Sequence, residues 1–155
     1  MALRSDWSMR PCPIARSMDF LGDPWSVLVL RELMYGVHRF EELREHTEAP
    51  DKILSDRLTQ MIARGLVRRE QYAGTVRPRY DYFLTSAGEA ARPVLQALAA
   101  WGHAYTPEPN LAQGFQMVCP NCATRAPAHY RCDRCGTELT TAESMWVRPR
   151  APEFP

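Results

Sequence analysis

Cys119, Cys122, Cys132 and Cys135 form two Cys-x2-Cys pairs separated by nine residues, in the stretch CPNCATRAPAHYRCDRCG. Each pair suits a tight knuckle that turns both sulfurs toward one ion, and four thiolates complete a tetrahedral shell around Zn2+. The pattern predicts one structural zinc per chain, and iron is the other metal that four thiolates accept. Such a shell leaves no coordination position for a substrate. The βαβ context that redox use of Cys-x2-Cys would want is missing. His129 falls between the pairs, and because four cysteines suffice it reads as a loop residue. So short a segment cannot build an apolar core, so the metal should supply its folding free energy. A structural staple is the leading role for this tail; DNA or partner contacts through Arg125, Arg131 and Arg134 come second.

The fifth cysteine, Cys12, stands just before a predicted first helix, CPIARSMDFLG. The positive end of a helix dipole there can lower a thiol pKa and make the thiolate reactive, so Cys12 is a candidate redox sensor. The slightly favoured reading is a small apolar residue packed beneath the helix, because free cysteine is among the most buried residue types. No neighbouring cysteine offers an intramolecular disulfide, so a switch would engage the partner subunit or a small thiol. No nucleophile–base constellation or phosphate loop occurs, and His38, His46, His103 and His129 are scattered. No enzyme is expected.

The elements that must position these groups can be followed along the chain. Its 155 residues allow one ordinary domain and a small appendage, with 45% hydrophobic and 24% charged residues. GDPWSVLVLRELMYG opens with Asp23 as a helix N-cap and Pro24 in the first turn, and Gly36 stands where the helix should stop. Val27, Leu28, Leu30 and Leu33 are too many for one face, which makes this helix central to the core. RFEELREH gives a short third helix with Phe40 and Leu43 inward. In the helix over 51–64, Leu54, Leu58, Met61 and Ile62, continued by Leu66, recur at three- and four-residue steps as an inward stripe. LVRREQYAG and RPRYDYFLT read as strands around a wing at 72–80.

TSAGEAARPVLQALAAWGHAY reads as one long helix, with Ser86 and Glu89 at capping-box spacing and Pro93 kinking it or marking its first turns. Val94, Leu98, Trp101 and Tyr105, with Ala91, form a seam close to a 3.5-residue repeat. A dimer interface is the better reading of that seam. Helices followed by a β-hairpin in this order define the expected fold, a mainly α winged helix-turn-helix with a small zinc-ribbon tail. Pro120 and Gly136 give the tail the Cys-Pro-x-Cys and Cys-x-x-Cys-Gly forms of compact ribbons.

A net charge of +1 announces no polyanionic partner. The local distribution is more informative. From Arg57 to Tyr80 six basic residues stand against Glu70, a net of +5, whereas Glu41 to Asp56 carries a net of −4. Such a sign change can orient a polyanion, or be two unrelated solvated faces. A helix fits the major groove of B-DNA, and short polar side chains let its backbone approach the base edges. Lys52, Ser55, Asp56, Arg57 and Thr59 are the candidate groove residues. Arg39, before the third helix, and Arg77 and Arg79, in the wing, are candidates for phosphate or minor-groove contact. Asp51 and Asp56 argue against a simple phosphate-binding surface, although an acid can accept from cytosine. Winged helices also serve as interaction modules, so an adaptor for protein or RNA is the alternative function.

CPIARSMDFLGDPWSVLVLRELMYGVHRFEELRE, ILSDRLTQMIARGLVRR and PRYDYFLTSAGEAARPVLQALAAWG together resemble the HxlR-type transcriptional regulators, from Cys12 to Gly102. The Cys-Pro-Ile start, the Leu-Ser-x-Arg-Leu helix and the Leu-Thr-x-x-Gly lead into the last helix carry the resemblance. It implies a bacterial winged-helix homodimer, formed largely by its first and last helices, that reads two operator half-sites. Ile14 and Met18 then join the dimer residues. Several relatives carry a cysteine like Cys12 that senses oxidants or electrophiles. The chain departs from the pattern in TEAPD, where many relatives have a glycine and then a capping serine, and in its cysteine-rich tail.

The expected protein is a sequence-specific regulator, a repressor by expectation, with double-stranded operator DNA and a second copy of itself as partners. An oxidant or a small molecule is its expected effector. The expected organisation is a winged-helix and dimerisation domain over 1–105, a linker over 106–116, a zinc ribbon over 117–142 and a loose tail over 143–155. No apolar run reaches the roughly 20 residues that cross a bilayer, and MALRSDWSMRPCP lacks the core of a secretion signal, so a cytoplasmic location is expected.

Overall fold

The structure is a computed structural model that describes residues 7–72, 78–107, 115–127, 131–139 and 144–147. The chain forms two compact units that divide between Thr85 and Ser86.

In the first unit, α1 (Pro13–Leu21) and α2 (Pro24–Met34) each begin with proline in the first turn, where no N–H is needed. The Asp23 carboxylate caps α2 by accepting from the Ser26 N–H at 3.2 Å. Beyond Met34, Tyr35 closes the helix and Gly36 turns left-handed at φ 80°. Val29, Leu30 and Leu33 are buried and Val27 and Leu28 half-buried, as a central helix requires. Leu43 of α3 (Phe40–Thr47) joins this core, with Leu54, Leu58 and Met61 of α4 (Asp51–Ala63). Burying one such side chain is worth roughly 1.5–3 kcal/mol. That stripe, rather than helix propensity, therefore holds α4.

Between α3 and α4, Glu48 adopts φ 56°, the left-handed conformation that glycine takes without steric cost. Thr47 Oγ1 donates to the Leu43 carbonyl at 2.6 Å and accepts from the Ala49 N–H at 3.3 Å, which stabilises the turn. Pro50 occupies the N-cap without a side-chain bond. Its carbonyl accepts from the Leu54 N–H at 2.9 Å, so the first turn of α4 forms from Asp51. The helix ends at Ala63, with Arg64 as cap and Gly65 at φ 74°.

β1 (Val67–Tyr72) pairs antiparallel with β2 (Arg79–Leu84), from Val67 opposite Leu84 to Tyr72 opposite Arg79. The Tyr82 N–H donates to the His38 carbonyl at 2.9 Å and Arg39 bridges to Asp81, giving the hairpin a short third edge.

The second unit holds α5 (Ser86–Glu89), α6 (Arg92–Tyr105), β3 (Gln116–Val118), β4 (Arg125–Pro127) and β5 (Met145–Val147). Its sheet has the order β4-β3-β5, antiparallel throughout. The expected single long helix is two helices. Pro93 has no N–H, and its ring would meet the carbonyl four residues back, so the helix breaks and restarts with Pro93 in the first turn of α6. Ser86 is a helical residue of α5, and Glu89 Oε2 accepts from Arg92 Nη2 at 2.6 Å instead of turning back to a cap.

The expected boundaries of the ribbon and of a loose 143–155 tail are corrected. β5 pairs with β3, and Trp146 is buried, edge-on to Phe115 at 4.6 Å with the Arg92 guanidinium 5.1 Å from its centroid. Burial of one tryptophan outweighs the Pro-rich composition around it. Residues 148–155 lie outside the described residues.

The two sides of α6 differ. Leu95 and Gln96 are buried, and Gln96 Nε2 donates to the Leu139 carbonyl at 2.7 Å and lies 3.0 Å from Met117 Sδ. Val94, Leu98, Trp101 and Tyr105 remain exposed. Among the described residues, no helix is long and apolar enough to cross a membrane.

Candidate nucleic-acid interface and metal centre

Lys52, Ser55, Asp56 and Thr59 are exposed and spaced so that they share one face of α4, opposite the buried leucines. Thr59 Oγ1 donates to the Ser55 carbonyl at 2.8 Å, so its lone pairs stay open to an incoming donor. Asp51 is bound to Arg44 at 3.4 Å and sits at the positive end of the helix, which accounts for one of the two unexpected acids. Asp56 is the acid left on the exposed face.

Arg57 is not on that face, and its assignment as a groove residue is corrected. Its side chain is 19% exposed and its Nη2 pairs with Asp23 at 3.2 Å. Five residues beyond Lys52, it is turned well away from the polar face by helical geometry.

Arg39 is exposed, 5.4 Å from the Tyr72 ring centroid and 3.9 Å from Asp81. Arg79 is exposed at the start of β2. Arg77 and most of the wing tip lie outside the described residues. On the strands, Arg68 lies over Phe83 at 4.8 Å and Arg69 over Tyr80 at 4.5 Å, two cation–π contacts that the sequence reading missed. Their signal was the aromatic run in RYDYFL opposite the arginines. Glu70 and Asp81 face each other in register, and each has an arginine: Arg68 pairs with Glu70 and Arg39 with Asp81. Phosphates must therefore compete for two of the cations here. Burial pushes the Tyr82 hydroxyl above its ordinary pKa and keeps it protonated.

Cys12 occupies the N-cap position of α1 and is exposed, not packed beneath the helix. Ile14 and Met18 of the same helix are also exposed, and α1 has no buried residue.

The four clustered thiols converge. Their sulfurs all lie within 4.8 Å of one another, with Cys119–Cys135 at 3.5 Å and Cys122–Cys132 at 3.6 Å. A tetrahedron of Zn–S bonds has an edge of about 3.8 Å, so the donor set and its spacing fit one tetrahedral ion. Two equivalent turns build it. In CPNCAT the Ala123 N–H donates to Cys119 O and the Cys119 N–H to Thr124 O, both at 3.0 Å. In CDRCGT the Gly136 N–H donates to Cys132 O and the Cys132 N–H to Thr137 O, both at 2.8 Å. Ala123 and Gly136 turn left-handed at φ 55° and 73°. The second cysteine of each turn has a threonine two residues on. Hydrogen bonding from Thr137 holds the Cys135 thiol down to about 6, and Thr124 lowers Cys122 in the same way, so both favour the thiolate a metal needs. His129 lies outside the described residues.

A polar-faced helix following a short turn, backed by a leucine stripe and flanked by an arginine-bearing hairpin, defines a winged helix-turn-helix protein. Residues 20–110 match the HxlR-like helix-turn-helix family model, and the chain belongs to this family. It is 32% identical over 127 residues to MT3179 of Mycobacterium tuberculosis (strain CDC 1551 / Oshkosh), an HTH-type transcriptional regulator, covering 82% of this chain and 79% of the relative. Among solved structures it is similar to PA1607, described as a candidate transcription factor, with a TM-score of 0.70 and 27% identity over 87% of this chain and 93% of that one. The oxidised form of the redox regulator HypR is similar at a TM-score of 0.56 and 28% identity, over 63% of this chain and all of that one.

Proposed function

We propose that this chain is a cytoplasmic, non-enzymatic transcriptional regulator, a repressor, that binds operator DNA as a homodimer. Helix α4 enters the major groove with Lys52, Ser55, Asp56 and Thr59, while Arg39, Arg79 and Arg77 hold the backbone. The observation that carries this reading is the single exposed polar face of α4 against its buried leucine face. Membership of a helix-turn-helix family supports it.

Self-association through α1 and α6 is supported by the exposure of Ile14, Met18, Val94, Leu98, Trp101 and Tyr105. Apolar side chains in a row on a helix otherwise remain costly in water. The tail binds one Zn2+ as a closed four-thiolate site and serves as a staple for α6, through the Gln96–Leu139 hydrogen bond. An input through thiol oxidation at Cys12 is supported by the exposure of that thiol and by the likeness to a redox regulator.

Selection of duplexes from a random pool tests the reading. Enrichment of a two-fold symmetric site, with half-sites about 10 base pairs or a multiple apart, is expected. Recovery of no common sequence would favour the adaptor.

A further inference from the structure

Two arginines of the α4 segment, the half-buried Arg57 and the exposed Arg64, turn toward carboxylates outside the helix. Arg57 Nη2 pairs with Asp23 at 3.2 Å and its Nη1 donates to Gln60 Oε1 at 3.1 Å. Arg64, at the C-cap, holds Asp19 Oδ2 at 3.1 Å, and its guanidinium lies 4.0 Å from the Phe20 ring centroid. Asp19 and Phe20 belong to α1, and Asp23 is the cap of α2. Both arginines are thus neutralised by carboxylates outside α4, and both are more than half covered.

Arg57 and Arg64 are seven positions apart, about two turns of helix, so both contacts lie on one side of α4. A hydrogen-bonded arginine–carboxylate pair is directional, and stacking on an aromatic face fixes the plane of the guanidinium. A leucine stripe alone resists lifting of the helix better than it resists small rolls about its axis. Two directional contacts on one flank resist the roll.

We propose that Arg57–Asp23 and Arg64–Asp19/Phe20 are clamps that set the rotation of α4, and so determine which bases Lys52, Ser55 and Thr59 meet. They are positioning residues, not phosphate ligands. The inference rests on the reading of α4 as a DNA-binding helix.

The test uses the full chain and a duplex enriched from the random pool. Affinities for that operator and for a scrambled duplex are measured over a salt series, at matched folded fraction, for the wild type, Arg64→Ala, Arg64→Lys and Asp19→Asn. Arg64→Ala and Asp19→Asn are each expected to weaken operator binding about three- to thirtyfold, the range for residues that act through a network. The preference for operator over scrambled DNA narrows, and the slope of log affinity against log salt stays that of the wild type. Arg64→Lys keeps a charge but not the planar stack, so it restores the preference only in part.

A phosphate contact behaves differently. Arg64→Ala would then flatten the slope by about 0.9 and weaken both duplexes alike. Arg64→Lys would bind as the wild type does, and Asp19→Asn would strengthen both by freeing the arginine. Any of these, or variants indistinguishable from the wild type, overturns the clamps. A wild type that does not discriminate the two duplexes overturns the underlying reading, and the clamps with it.

Discussion

Gln96 of α6 donates its side-chain amide to the Leu139 carbonyl at 2.7 Å, and both residues are buried. This bond joins the helix that carries the exposed Val94–Tyr105 stripe to the segment just after the second cysteine turn. The ribbon therefore supports one side of α6 while the other side remains open.

Removing the metal should remove that support. Structural zinc contributes on the order of 10–16 kcal/mol in small peptides, and a four-thiolate ribbon has little else to fold on. Elemental analysis is expected to find one zinc per chain, falling below half an equivalent in Cys132→Ser, with a lower melting temperature. Gln96→Ala removes the donor that the buried Leu139 carbonyl has among the described residues, and should cost about 1–3 kcal/mol in urea denaturation while the metal stays bound.

The exposed stripe predicts self-association. Large aromatic side chains dominate such interfaces, and truncating one costs about 2 kcal/mol or more, roughly thirtyfold in dissociation constant. Trp101→Ala should shift the monomer–dimer equilibrium by that amount in sedimentation. Met145 is a comparable exposed apolar residue on β5, at 63% exposure, and Met145→Ser should leave the equilibrium unchanged.

Glu48 is the strained position of the turn before α4, at φ 56°. A side chain there costs about 1–2 kcal/mol that glycine avoids, offset in part by the greater freedom of glycine in the unfolded chain. Glu48→Gly is expected to be neutral or stabilising by up to about 1 kcal/mol in denaturant melts. Glu48→Val should destabilise.

Cys12 is exposed, and the metal occupies the other four thiols in the proposed holoprotein. Treatment with a mild disulfide-forming oxidant should change operator affinity in the wild type, while Cys12→Ser keeps the reduced affinity throughout. Equal responses in the two proteins would place the sensitivity in the ribbon.

Local rules made most of the fold readable. Asp23-Pro24 and the leucine steps of α4 each act within a few residues, and both helices formed as those rules require. The four-cysteine spacing carried the convergence of the four thiols in the same local way. What escaped depended on distant partners. Arg57 looks like a groove residue in sequence because nothing local shows that Asp23, 34 positions earlier, receives it. Trp146 was hidden by the Pro-rich stretch that follows it, and it packs against Phe115 and Arg92. The repeated Cys-x2-Cys-(Ala/Gly)-Thr turn could have been read, since both copies are contiguous, and it shows why Ala123 adopts the geometry of Gly136.

The central claim is specific DNA reading by α4. Its most direct measurement is the affinity of the purified chain for its selected operator against a scrambled duplex of equal length, across a salt series, with Lys52→Ala and Ser55→Ala beside the wild type. Preference for the operator is expected at every salt. Ser55→Ala removes one hydroxyl contact and should reduce that preference by about 1 kcal/mol, and Lys52→Ala should weaken binding. Equal binding to both duplexes that collapses as salt rises, unaffected by either substitution, would contradict it.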